Sequence, residues 1–108
     1  MISIDDFKKV EIRIGLILTA EAIPNSEKLL KLSVDFGEES PREVISGIAK
    51  FFPDSSILVG KKCAFVTNLE PRPIMGHVSQ AMILATTGDD FLSLFEVPSS
   101  VPQGSLVR

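Results

Sequence analysis

The chain contains no Trp, no Tyr, one Cys and one His. Each shortage closes off a class of function. With Cys63 alone no internal disulfide can form, and a reducing compartment, the cytoplasm, is the natural setting. One His and one Cys cannot supply a metal cluster of recognisable spacing, so neither a metal nor another cofactor is expected. A Gly-x-Ser-x-Gly elbow, a phosphate-binding Walker loop and a dinucleotide fingerprint are all missing, which disfavours an enzyme. The one chemical pair left is Cys63 with His77. Cys63 lies in an apolar stretch, where a free Cys is usually a small hydrophobe, because a reactive thiol needs an electropositive, accessible setting. His77 follows Gly76 and reads as an exposed loop histidine. No apolar run approaches the ~20 residues of a membrane span. Met1-Ile-Ser-Ile-Asp-Asp6 lacks the basic and then apolar order of a signal peptide. Positive charge is also short: 11 Lys and Arg face 14 Asp and Glu, for a net charge of −3. That weighs against strong nonspecific binding to nucleic acid, which rests on phosphate contacts. A local basic face remains open.

What is present is ordinary globular composition, 44% hydrophobic and 23% charged, in a chain of 108 residues that has room for one domain, 1–108. Ser3 reads as the N-cap of a short helix, with Asp5 and Asp6 in its first turn. Val10 to Ile23 alternates apolar and polar residues and predicts a half-buried strand, with Gly15 marking a bulge or a sharp coil. Pro24-Asn-Ser26 is a turn. Further strands are predicted at Leu29 to Phe36, Arg42 to Ser46, Cys63 to Leu69 and Ala81 to Thr86. A helical turn is predicted over Ile48 to Phe52, another short strand at Phe91 to Val97, and an edge or dimer-seam strand at the carboxy terminus. Glu70-Pro-Arg-Pro73 cannot continue a ladder, because each Pro lacks an N–H, and it reads as a rigid loop displaying Arg72, His77, Ser79 and Gln80. Five main strands about ten residues apart, with no long helix between them, predict an all-β, five-stranded Greek-key barrel with short helical pieces and extensions at both termini.

Three segments in order are similar to a known family. They are Asn25-Ser-Glu-Lys-Leu-Leu-Lys-Leu32, Ile45-Ser-Gly-Ile-Ala-Lys-Phe51, and Asn68-Leu-Glu-Pro-Arg72 followed by Gly76, Ser79 and Met82. Ile4-Asp-Asp-Phe-Lys-Lys-Val-Glu-Ile-Arg-Ile-Gly15 and Val101-Pro-Gln-Gly104 add to the likeness, which covers essentially the whole chain. Together they resemble the tRNA-binding domain of the oligonucleotide-binding (OB) barrel type. That domain occurs in methionyl-tRNA synthetases, in synthetase-associated cytokine-like proteins, in stand-alone tRNA-binding proteins and in the CsaA type of export chaperone.

The resemblance implies an OB barrel, usually a homodimer, that binds tRNA by shape and backbone without catalysis, either alone or in trans with a synthetase. Carried over residue by residue, it implies an RNA-binding set of Asn25, Lys28, Lys31, Ser46, Gly47, Lys50, Asn68, Arg72 and Ser79. Arg72 leads, because a guanidinium fork suits phosphate and stacks on bases. Bland readings stand beside these. Asn25 serves turn chemistry, Lys28 and Lys31 are solvated strand charges, and Ser46-Gly47 is a tight strand exit. Met82 is expected in the core, and Phe51-Phe52 is expected as a barrel plug rather than a stacking surface. The chain departs from the family pattern at Glu70 and Pro73, where basic residues are common, and at Ala81, where Gly is common. The lost charge weakens phosphate attraction. A second class follows from the acidic balance and the Phe-rich surface candidates: a chaperone-like homodimer of the CsaA type that binds unfolded or exported polypeptides.

Overall fold

A computed structural model describes the chain from Met1 to Arg108. Ser3 Oγ accepts the Asp6 backbone N–H at 3.1 Å, and Asp6 reaches back to the Ser3 N–H. This reciprocal capping box starts α1 (Ile4–Phe7). The sheet follows: β1 (Ile12–Ala22), β2 (Leu30–Asp35) and β3 (Arg42–Ser46) form an antiparallel meander, and β4 (Lys62–Val66) returns to pair with the first half of β1. Two 3₁₀ turns, Ala49–Phe51 and Ser55–Leu58, occupy the link between β3 and β4. Beyond β4 the strands are short: β5 (Arg72–Ile74), β6 (His77–Ser79), β7 (Met82–Ile83), β8 (Ala85–Thr87), β9 (Leu92–Leu94), β10 (Glu96–Val97) and β11 (Leu106–Val107).

Long β1 carries the architecture. Its first half pairs with β4 and β11, and its second half with β2. The register of β1 on β2 shifts between Ile17 and Thr19, leaving Leu18 as the bulged, exposed residue. The bulge therefore falls three residues after Gly15, where it was expected. Gly15 has a packing role instead: a Cβ there would strike Val34 Cγ1 and lie 2.7 Å from Phe36 Cε1. The barrel interior takes Ile17 from β1, Leu30, Leu32 and Val34 from β2, Val44 from β3, and Cys63 and Phe65 from β4. Phe36 meets Phe65 edge to face, with ring centroids 5.2 Å apart, a favoured aromatic geometry. Leu58 on the second 3₁₀ turn is fully buried against this core. Phe52 packs on it as the expected plug, whereas Phe51 is 38% exposed.

The barrel is completed without a continuous ladder. β7 pairs with β4, as the start of the fifth strand should. β3 and residues 79–80 are not paired as strands, and one backbone bond and two side-chain bonds bridge them. Ser79 Oγ accepts the Ile45 N–H and donates to the Ala81 carbonyl, each at 3.0 Å. Gln80 donates its backbone N–H to the Glu43 carbonyl, and its side-chain Oε1 accepts the Glu43 N–H, each at 2.8 Å. The predicted fifth strand is thus broken at Leu84 into β7 and β8, and its closure falls to polar side chains just before it.

The segment expected as a loop is a β-hairpin. Met75 (φ 49°) and Gly76 (φ 81°) both occupy the left-handed region, as a type I′ turn requires. Pro73 faces Val78, one pair away from the turn-flanking Ile74–His77 pair. Antiparallel pairs alternate between bonded and non-bonded. Pro73 therefore takes a non-bonded position, where its missing N–H costs nothing.

Candidate nucleic-acid interface

The three recognised segments meet at the carboxy-terminal half of β3. Leu30 pairs with Ser46, and the Ala49 N–H donates to the Lys28 carbonyl at 3.1 Å, which joins the first segment to the second. Ser79, bonded to Ile45, brings in the third, and Arg72 pairs with Ser79 across the hairpin. A small cavity of about 50 Å³ lies at this junction, walled by Ile45, Leu69, Ile74 and Met82, with Glu70 and Arg72 at its edge.

The polar atoms of the candidate residues divide into two groups. Asn68 and Ser79 spend theirs inside the molecule. Asn68 Oδ1 accepts the Glu11 N–H at 2.8 Å, and its Nδ2 donates to the Lys9 carbonyl at 2.7 Å, so the side chain extends the β1–β4 pairing past Val66. Asn25 sits at φ 67° in the turn after β1, a conformation that Asn tolerates better than most residues. Lys31 pairs with Glu21 at 3.8 Å. The remaining cations of the set are free. Lys28, Lys50 and Arg72 make no ion pair and no side-chain hydrogen bond, a property shared only with Lys8 and Arg108 at the chain ends. Gly47 has a φ outside the left-handed region, and a Cβ there would meet nothing within 4 Å. Neither backbone nor packing explains this glycine, and its bare backbone faces open space.

The sequence reading overlooked a network beside this site. Arg42 grips Glu38 through two bonds at 2.8 Å, donates to the Thr67 and Gln80 carbonyls, and lies 5.4 Å over the Phe36 ring. On β1, Arg13 holds Glu11 at 2.8 Å and donates to the Gly104 carbonyl. Hydrogen bonds from Arg13 and Thr67 hold the Glu11 carboxyl below its usual range, and Arg42 does the same to Glu38. Glu38 in turn raises the Arg42 guanidinium. Arg42 is therefore a structural clamp, and its charge is neutralised at home. Met82, expected in the core, is 43% exposed, because successive strand residues face opposite sides and Ile83 takes the buried one. Cys63 is buried, and desolvation pushes its thiol up to about 11. His77 Nδ1 lies 3.7 Å from Glu43. No three His, Cys, Asp or Glu side chains converge as a metal site would require, and no helix is long and apolar enough to cross a membrane.

A meander with a fourth strand that returns to its first is the topology of an OB-type barrel. Residues 12–106 match the family described as "Putative tRNA binding domain", and the chain belongs to that family. It is 45% identical over 107 residues to a methionine–tRNA ligase of Lactococcus lactis and 48% identical over 107 residues to one of Halalkalibacterium halodurans. It covers 98% and 99% of its own length in these matches but spans only 16% of either ligase. Among solved structures, a MetRS related protein from Pyrococcus horikoshii superposes with a TM-score of 0.92 at 38% identity, covering 100% of this chain and 98% of that one. The chaperone CsaA from Bacillus anthracis superposes with a TM-score of 0.87 at 25% identity, covering 100% and 99%.

Proposed function

We propose that this chain is a non-catalytic tRNA-binding module, acting alone or serving an aminoacyl-tRNA synthetase in the cytoplasm. The observation that carries this reading is that Lys28, Lys50 and Arg72, each without an internal partner, belong to segments whose backbones are tied to the end of β3, in a chain of the tRNA-binding-domain family. An unpaired guanidinium or ammonium is available to phosphate at no cost in broken ion pairs. Ser46 and Gly47 offer a hydroxyl and an unobstructed backbone between Lys28 and Lys50. Lys31 adds weaker attraction, since Glu21 shares its charge. Asn25, Asn68 and Ser79 act by shaping the turn, the β1–β4 seam and the β3 closure that hold the cations in place. Binding is by backbone charge and shape, so affinity falls with salt. A gel-shift titration with bulk tRNA at low salt tests the reading. Binding at low micromolar concentration is expected, and no shift at tens of micromolar rejects it.

A second observation favours a homodimer. Barrel strands normally turn polar residues outward, but β1 and β4 are apolar on both faces. Ile12, Ile14, Ala64 and Leu84 line an outer cleft of about 370 Å³ with Phe95, Val97 and Val107, and Glu96 is its one charged residue. Phe95 is 52% exposed. A second copy covering this face would remove that surface from water and protect the β11 edge. Light scattering should give twice the 11.7 kDa chain mass, and a monomer at all concentrations excludes the dimer. The same face suits the chaperone-like reading, in which it holds unfolded polypeptide. Suppression of client aggregation without tRNA binding would favour that alternative.

A further inference from the structure

We propose that the cleft between Glu70 and Arg72 reads an unpaired guanine of the bound RNA, an inference that rests on the RNA-binding reading above. Three features of the cleft carry it. First, the two charges stand unpaired although they line the same cavity. Glu11 and Arg13 have the same spacing along the chain and close to 2.8 Å. Glu70 and Arg72 are separated by Pro71, whose fixed φ holds that stretch rigid, and they make no ion pair.

Second, the walls are apolar and partly open. Leu69 is 46% exposed and Met82 43% exposed, while Ile45 and Ile74 form the deeper part. The 50 Å³ cavity takes only part of a base, so the ring rests its face on Leu69 and Met82 with its two hydrogen-bonding edges toward the charges. Third, a carboxylate is misplaced on a surface that meets only phosphate, since it repels the ligand. It is well placed on a surface that meets a base edge. Arginine donates in bidentate fashion to guanine O6 and N7. Guanine also presents two adjacent donors, N1–H and the N2 amino group, to a bidentate acceptor such as a carboxylate. The other three bases lack that combination of a double acceptor and a double donor. Glu70 thus trades general affinity for base selection, and Arg72 serves both.

The test is fluorescence anisotropy with octamers of uridine carrying one central G, A, C or U, at low salt. The G probe should bind about tenfold more tightly than the other three, the scale of one good bidentate contact. Glu70→Gln should reduce the preference, leaving what Arg72 reads at O6 and N7, without weakening binding of the all-uridine probe. Glu70→Lys should tighten binding of the A, C and U probes and steepen the salt slope by about one. Both variants change an exposed side chain, and an unchanged urea midpoint confirms that they fold. Probes bound within twofold of one another, or a preference undiminished in Glu70→Gln, overturn the guanine assignment alone. No binding of any probe or of bulk tRNA overturns it together with the RNA-binding reading.

Discussion

Replacing Ser79 with Ala removes one oxygen and opens the barrel at its weakest joint. Ser79 is 8% exposed and Ile45 6%. The hydroxyl accepts the Ile45 N–H and donates to the Ala81 carbonyl. In the Ala variant both backbone groups lose their side-chain partner. An orphaned buried polar group costs about 1–3 kcal/mol, and a carbonyl sits at the low end because it has two lone pairs. The sum is about 2–4 kcal/mol, a large part of the ~5–15 kcal/mol that holds a small domain together. In a domain of this size the melting temperature should fall by roughly 8–16 °C, at about 4 °C per kcal/mol. Urea unfolding followed by far-UV circular dichroism measures the loss, with an unchanged m-value expected. Ser99→Ala, at an exposed Ser without a side-chain hydrogen bond, is the control and should stay within about 0.5 kcal/mol of the parent. A Ser79→Ala midpoint indistinguishable from that control would refute side-chain closure of the barrel.

Three further outcomes follow from the same geometry. Glu11 and Glu38 have folded pKa values lowered below 4.5 by Arg13 and Arg42. Their stabilisation is therefore complete at neutral pH and is lost as pH falls through the folded values. Urea midpoints should drop between pH 5 and pH 3 (an acid range set by about the carboxylate reference), and Glu38→Gln should flatten that drop. Cys63, with its thiol pushed up to about 11, should resist iodoacetamide at pH 8 in the folded protein and react promptly in urea; rapid alkylation without denaturant would contradict its burial. Gly104→Ala places a Cβ against the Phe36 carbonyl at a φ of +89° and should cost about 2–3 kcal/mol in urea unfolding. Gly47→Ala, with open space and ordinary φ, should cost less than about 0.5 kcal/mol.

The sequence made the barrel legible wherever a side chain signals its own burial. Leu30, Leu32 and Val34 alternate with Lys31, Ser33 and Asp35, and β2 and β3 lie at their predicted positions. The hairpin of β5 and β6 was hidden for two reasons. Prolines at 71 and 73 argue against a strand unless the bonding phase is known. The turn also uses Met75 at positive φ, where Asn or Asp would have announced it. The bulge at Leu18 depends on how β1 pairs with both β2 and β4, which no local pattern encodes. At the site, residue types alone could not separate Lys28, Lys50 and Arg72 from Lys31 and Arg42. That distinction needs the positions of Glu21 and Glu38, and only the fold supplies them. Asn68 and Ser79 carry side chains fit for RNA, yet both are consumed by backbone groups distant in sequence.

The salt dependence of tRNA affinity tests the central claim most directly. Three free cations predict a slope of log K against log salt between about −2 and −3 per chain. Each of Lys28→Ala, Lys50→Ala and Arg72→Ala should reduce its magnitude by about one, and the triple variant should be nearly insensitive to salt. A wild-type slope that survives the triple substitution would place the RNA on another face and contradict the account.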